Sequence, residues 1–355
     1  MTHPLFEDLD HILKHTPGVW DELRGSRLFV TGGTGFFGTW LLESFAWAND
    51  ELDLNAKATV LTRRPDRFRQ KAPHLASHPH IDFVTGDVTT FGFPQGQFSH
   101  VIHAATESST HLNEEDPLRM VDTLVGGTRR VLEFARAAGV DKFLLVSSGA
   151  VYGRQPPDLQ HLPEDHPGGP DPAEPSSAYG EGKRLAELLC SIYARRHRIQ
   201  TKTARCFAFV GPHLPLDAHF AIGNFIRDAL SGGPIRVSGD GSPRRSYLYA
   251  ADLSIWLWTI LSRGIAGRSY NVGSMQEVSV AEAARAVSSA FRPALPVHVA
   301  QKPSADKLPE RYVPDNRRAR TELGLEQTIA LSDAIQRTIR WHRPMGGRHH
   351  LTVGA

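Results

Sequence analysis

With 355 residues, of which 40% are hydrophobic and 22% charged, the chain has room for one large domain or two fused ones, and its composition excludes disorder as the main state. Lys and Arg number 40 against 38 Asp and Glu, so no charge excess points to nucleic acid or a membrane, and any anionic ligand needs a local site. The two cysteines, Cys190 and Cys206, supply neither a disulfide framework nor a four-cysteine zinc site, and the acidic start, with no long apolar stretch anywhere, predicts a cytoplasmic protein. The 18 histidines are scattered, two of them (His349 and His350) in a Gly-rich tail, so surface histidines and no metal site are expected.

In chain order, residues 1–26 show mild helical patterning through Phe6, Leu9, Ile12 and Leu13 and form an N-terminal extension. Short apolar runs follow at Leu28 to Thr31, Ala58 to Thr62, Ile81 to Thr85, His100 to Ala104 and Lys142 to Ser147. Helical stretches such as Thr39 to Ala48 and Val121 to Ala138 alternate with them. Alternating β and α predicts a parallel sheet covered on both faces, over residues 27–210. The Pro-rich stretch Gln155 to Ser177 reads as a loop over a site, followed by a helix from Tyr179 to His197 and a strand from Thr201 to Phe209. Residues 211–343 mix helices and short strands as a smaller, mainly ligand-binding lobe, and 344–355 read as a disordered tail.

The first run leads directly into Gly32-Gly33-Thr34-Gly35-Phe36-Phe37-Gly38 and a helix start. Gly32 suits the tight turn, Gly35 a close approach of pyrophosphate and Gly38 close helix–sheet packing, which predicts a dinucleotide site. Arg63 and Arg64 end the second strand, where a carboxylate would favour NAD; two guanidiniums favour the 2′-phosphate of NADP, and the cofactor is read as NAD or NADP. Asp87, with Val88, is placed to meet the adenine amino group or else to cap a helix, and Ala104 and Ala105 are small enough to let the cofactor lie along the fourth strand end.

Ser148 ends the fifth strand, and Tyr179 and Lys183 lie four apart on the next helix. An ammonium beside a phenol favours phenolate, which makes Tyr179 a general base; Ser148 holds the substrate hydroxyl, and Lys183 also reaches the nicotinamide ribose.

These motifs, together with Val151-Tyr152-Gly153, Arg205-Cys206-Phe207, Gly211-Pro212 and the Gly239-Asp240-Gly241 stretch running to Arg245 and Asp252, make residues 27–343 resemble the extended short-chain dehydrogenase/reductases of the nucleotide-sugar epimerase/dehydratase group. The resemblance implies a Rossmann-type doubly wound sheet with a smaller mixed α/β C-terminal substrate lobe. It also implies a tightly held nicotinamide, a nucleoside diphosphate sugar near Asn224 and Phe225 with its diphosphate on Arg245, Arg311 as a second phosphate or sugar contact, transient oxidation at C4, and a homodimer.

Gly149 and Ala150 stand where the dehydratases of this group have an acidic pair and where its decarboxylases keep a Glu nearby, which favours a 4-epimerase over a 4,6-dehydratase. An NADPH-dependent 4-ketoreductase needs the same groups as the epimerase. Glu107 is the acid that could restore dehydration; Glu181 reads as a helix-start charge. Ala208 and Leu124 replace two asparagines usual in the family. A non-catalytic dinucleotide sensor is the reading from another class, disfavoured because Tyr179 and Lys183 are both present.

Overall fold

The computed structural model describes residues 3–106, 110–218, 220–303, 308–343 and 352–353. The apolar runs become β1 (Arg27–Thr31), β2 (Lys57–Thr62), β3 (Ile81–Thr85), β4 (His100–His103), β5 (Lys142–Ser148) and β6 (Gln200–Cys206). With the strand Ser269–Val272 they form a seven-stranded, all-parallel sheet. Its spatial order is Ser269–Val272, β6, β5, β4, β1, β2, β3. The order reverses between β1 and β4, and the carboxyl ends of strands at such a switch point are the usual ligand position in these sheets.

Around the sheet run α1 (Phe6–His15), α2 (Phe36–Glu51), α3 (Pro65–Lys71), α4 (Pro73–Ala76), α5 (Thr110–Glu115), α6 (Pro117–Ala137) and α7 (Ala178–His197). Alternate strand residues feed two cores, as the two-residue side-chain period requires. Leu28, Val30, Val60, Ile102 and Leu144 face one side and meet Leu42 and Phe45 of α2. Phe29, Leu61, Val101, Phe143 and Leu145 face the other and meet Phe134 of α6 and Ala186 of α7. Phe29 and Phe134 touch with ring centroids 4.4 Å apart.

The sixth strand ends sooner than the apolar pattern indicates. After Cys206 the chain leaves the main sheet because Phe207 turns to pack on Tyr312, 4.6 Å between centroids. Phe209–Val210 then pairs with Leu248–Tyr249 in a separate two-stranded ladder. Beyond residue 210 the chain both builds the second lobe and returns to the first. The strand Ser269–Val272 edges the main sheet, and Trp256 and Trp258, from the helix Ala250–Arg263, lie in the first core. Residues 344–351, 354 and 355, most of the expected disordered tail, lie outside the described residues; Thr352–Val353 pairs with Phe291–Arg292. No described helix is long and apolar enough to cross a membrane.

The N-terminal extension docks through buried polar contacts as well as apolar ones. Trp20 stacks obliquely on Trp258, 5.0 Å between centroids. Asp8 of α1 accepts a 2.7 Å hydrogen bond from the buried Tyr249 hydroxyl and pairs with Arg337. Burial pushes the Asp8 carboxyl above the usual range, against the pull of Tyr249 and Arg337. Removing this carboxylate strands two polar partners, so Asp8→Ala is expected to lower the unfolding free energy by about 2–3 kcal/mol. Urea titration of both proteins checks this; a change near zero would show that the extension is not held by this contact.

Candidate active site

The turn after β1 has the shape of a phosphate cradle. Gly32 lies in the left-handed region at φ 73°, and a Cβ on it would stand 2.5 Å from the Ala104 carbonyl carbon. A Cβ on Gly38 would stand 2.2 Å from the Gly32 oxygen, so the start of α2 packs onto the turn as only glycine permits. On Gly35 a Cβ would meet nothing nearer than that oxygen at 3.4 Å, which leaves the loop open toward a ligand at the helix N-terminus. The residues therefore fit a dinucleotide pyrophosphate. Phe37 rests edge-on against Phe209 at 5.0 Å, with Phe36 beside it at 5.7 Å. Beside the turn Ala104 and Ala105 follow β4, with the Ala105 N–H held by Thr31 Oγ1 at 3.1 Å.

At the adenosine side, Asp87 caps its own turn: its Oδ1 accepts from the Thr89 hydroxyl at 2.6 Å and the Thr89 N–H at 2.9 Å. The Thr89 hydroxyl, aided by the Thr89 N–H and by Arg63, holds this carboxyl below its ordinary range despite partial burial. Arg63 thus faces Asp87, while the Arg64 N–H binds Thr62 Oγ1 at 3.3 Å. Val88 packs on α6, close enough that a Cβ on Gly127 would lie 2.9 Å from it.

Ser148 stands at the carboxyl end of β5, and its Oγ accepts the Ala150 N–H at 3.1 Å. The phenols of Tyr179 and Tyr312 both lie beside it, where interaction with Ser148 favours their ionised forms against the opposing effect of burial. Tyr312 was not singled out by spacing. It lies on the short strand Arg311–Tyr312, which pairs in parallel with Arg244–Ser246 so that Tyr312 sits opposite Arg245. Opposed residues share a face, which puts Arg245 on the Ser148 side. The same alternation puts Arg311 on the other face with Arg244, where Arg311 lies 3.9 Å from Glu277. Of the two arginines implied by resemblance, only Arg245 is brought toward the site. Asn224, on the helix Ala221–Leu230, takes a 3.2 Å hydrogen bond from Arg227.

Lys183 is buried and donates to the Val146 carbonyl at 2.8 Å, with its nitrogen 5.9 Å from the Tyr179 ring centre. The expected direct lowering of the Tyr179 phenol by this ammonium is not what the geometry gives. Burial pushes the phenol up, and the Ser148 hydrogen bond offsets only part of that. Burial pushes Lys183 itself down to about 8. Glu187, one turn further along α7, accepts from Ser147 Oγ at 2.6 Å and pairs with Arg205 of β6 at 2.7 Å. Glu181 turns away, pairing with Arg184 at 3.6 Å and lining a groove with Val121, Leu185 and Leu188. Glu107 lies outside the described residues.

Gly149 explains the space beside Ser148. A Cβ there would lie 2.7 Å from the Tyr312 hydroxyl and 2.8 Å from the Phe207 ring, so these two aromatic side chains fill the position an acidic residue would occupy.

A nucleotide cradle at the switch point, with Ser, Tyr and Lys grouped at the end of β5, defines a nicotinamide-dependent enzyme of the Rossmann type. The model of the NAD dependent epimerase/dehydratase family matches residues 28–273, and the chain belongs to that family. UDP-glucuronic acid decarboxylase 1 of Danio rerio is 28% identical over 315 residues, covering 89% of this chain and 72% of that protein. The dTDP-glucose 4,6-dehydratase of Streptomyces venezuelae, solved with NAD bound, is 27% identical with a TM-score of 0.73, over 89% of this chain and 96% of that one. The UDP-glucose 4-epimerase of Thermotoga maritima superposes with the same TM-score at 19% identity, over 89% and 98% of the two chains.

The depressed Lys183 gives a pH signature. Its folded value of about 8 lies below the ordinary 10.5, so burying the charge costs stability fully below about pH 8, and the cost disappears as pH rises to 10.5. Lys183→Met is therefore expected to be more stable than the parent at pH 7, by up to about 3 kcal/mol, with the advantage shrinking toward pH 10.5. Urea titrations across this range check it; an advantage independent of pH would refute the assignment.

Proposed function

We propose that the protein is a nucleoside diphosphate sugar 4-epimerase that works by transient oxidation at C4. The observation that supports epimerisation over water or carbon dioxide loss is the packing of Tyr312 and Phe207 over Gly149, which leaves no side-chain acid at that position among the described residues. The cradle at Gly32, Gly35 and Gly38 would hold the dinucleotide, and its nicotinamide supplies a hydride acceptor and donor when bound. Tyr179, its phenol drawn down by the positive charge that a bound oxidised nicotinamide would supply, takes the C4 hydroxyl proton as the C4 hydride leaves, Ser148 holds that oxygen, and Tyr312 orients Ser148. Rotation of the keto sugar then lets the hydride return to the other face while Tyr179 returns the proton. Arg245 would pair with the diphosphate. Arg63 and Arg64, where no carboxylate ends β2, favour NADP over NAD.

Decarboxylation of a UDP-uronic acid is the second reading, favoured by the 28% identity to UDP-glucuronic acid decarboxylase 1. It shares the C4 oxidation but then releases carbon dioxide from the keto sugar. Incubation with a panel of nucleotide sugars, with chromatography and mass spectrometry of the products, separates the readings. An isomer of unchanged mass is expected, and Tyr179→Phe should lower turnover by about 10²–10⁴-fold with the fold intact. Loss of water or of carbon dioxide would overturn the epimerase reading, and full activity in Tyr179→Phe would overturn the base.

The same reading includes a homodimer through α6 and α7. Leu185, Leu188 and Ile192 are 42%, 53% and 36% exposed along one side of α7, which is unusual for large apolar residues in such a row. Light scattering after gel filtration should give twice the chain mass, and Leu188→Glu should give the monomer with unchanged circular dichroism. A monomeric parent would end this part of the proposal.

A further inference from the structure

Four histidines and a glutamate far apart in sequence meet beside the middle of α2. Glu43, from the middle of α2, has its side chain only 1% exposed, an expensive place for a carboxylate unless it is paired. His74 of α4 places Nε2 3.0 and 3.1 Å from its two oxygens. His3, ahead of α1, places Nε2 at 3.3 Å, and His213, in the connection after Phe209–Val210, at 3.4 Å. His342 brings a further buried, unpartnered Nε2 into the electrostatic reach of His213.

The rings of His213, His3 and His74 surround the Glu43 carboxylate. His213 is the informative member. Its side chain is 6% exposed, its Nε2 is buried without a hydrogen-bond partner among the described residues, and its backbone is held at φ 68°. A buried imidazole nitrogen close to a carboxylate but off hydrogen-bond geometry is a donor atom lacking its acid.

We propose that His3, Glu43, His74 and His213 form a structural site for a divalent transition ion, Zn²⁺ by the chemistry of its donors, which staples the N-terminal extension and the start of the second lobe to α2. Three imidazole nitrogens and one carboxylate oxygen are a closed tetrahedral set for this ion. Bonds of about 2.0–2.1 Å place tetrahedral ligands about 3.3 Å apart. His74 and His213 stand 3.0 and 3.4 Å from Oε1 of Glu43, and His3 stands 3.3 Å from its Oε2. The ligand atoms of His3, Glu43 and His74 all lie within 4.8 Å of one another, and His213, which stands outside that set, swings inward from its place beside Oε1 to complete the cage. His3 gives up one contact in doing so, the Leu5 N–H that now donates to its Nδ1 at 3.1 Å. The ligands come from four separate segments, so binding would order the extension without touching Ser148 or Tyr179.

The test uses the full chain with His349 and His350 replaced by Ala, so that the tail adds no ligands. After stripping with a chelator, Zn²⁺ is titrated by calorimetry, metal content is measured by mass spectrometry, and Co²⁺ is added for its visible spectrum. One ion per chain, the intense absorption of tetrahedral Co²⁺ and a melting temperature raised by several degrees on Zn²⁺ addition are expected. His74→Gln, at a half-exposed position that folding tolerates, should weaken binding at least about tenfold, and Glu43→Gln should remove it. No stoichiometric uptake, or binding unchanged in both variants, would overturn the site and leave a hydrogen-bonded cage. Bound nucleotide and sugar turnover, measured on the same samples, report separately on the catalytic reading.

Discussion

The catalytic end of the molecule depends on how one face of α7 is fastened to β5. Tyr179, Lys183 and Glu187 recur every four residues, so they share that face. They engage Ser148, the Val146 carbonyl and Ser147 respectively. Lys183 supplies a buried ammonium whose hydrogen bond to a main-chain oxygen fixes the helix along the strand, and Glu187 is fixed in turn by Arg205 on the neighbouring β6. The helix can approach this closely because Gly180 and Gly182 face the Ala150 carbonyl and Leu124, where a Cβ would stand 2.8 and 2.7 Å away. Chemistry and anchoring are thus one set of contacts. Burial penalises the ammonium and the phenol alike, so the energy of forming the site is met by packing elsewhere in the two cores.

The second lobe completes what the first begins. Its strand Arg311–Tyr312 reaches back so that Tyr312 joins Tyr179 on one serine hydroxyl, with Arg245 alongside on the paired strand. A serine hydroxyl that already accepts a main-chain N–H and lies beside two buried phenols has its proton directed toward them. Ser148 is positioned by contacts from both lobes, so a movement of the second lobe that reorients a substrate also bears on the group that holds the reacting oxygen.

What was legible in the sequence was local. The strand leading into Gly32, the three-residue spacing to Gly35 and Gly38, and the four-residue spacing of Tyr179 and Lys183 each encode a single turn or helix face, and the structure brings each together as the periodicity implies. The alternation of strands with helices likewise gave the parallel sheet, because both of its faces must be covered. Tyr312 was not legible as a site residue: its meeting with Ser148 depends on the pairing of two short strands late in the chain, a register that no single-segment period records. The histidine cage was hidden for the same reason, since His3, His74 and His213 are brought to Glu43 only by the docking of separate segments. The early end of β6 is a tertiary override, in which Phe207 gains more by packing on Tyr312 than by continuing the ladder.

The divergence of outcomes within this family then becomes a question of what occupies the space beside the catalytic serine. Oxidation at C4 needs only a cradle, a base and a hydroxyl to hold the oxygen, and these are elements that distant members can share. The later step needs either an acid or room for the keto sugar to turn. In this chain the volume next to Ser148 is taken by two aromatic rings meeting at a glycine, and the polar atom they contribute there is a phenol that burial drives above its ordinary range and so keeps protonated. A protonated phenol there can orient the serine hydroxyl. Gly149, which carries no side chain, and Tyr312, which arrives from the second lobe, thus shape one and the same space beside Ser148.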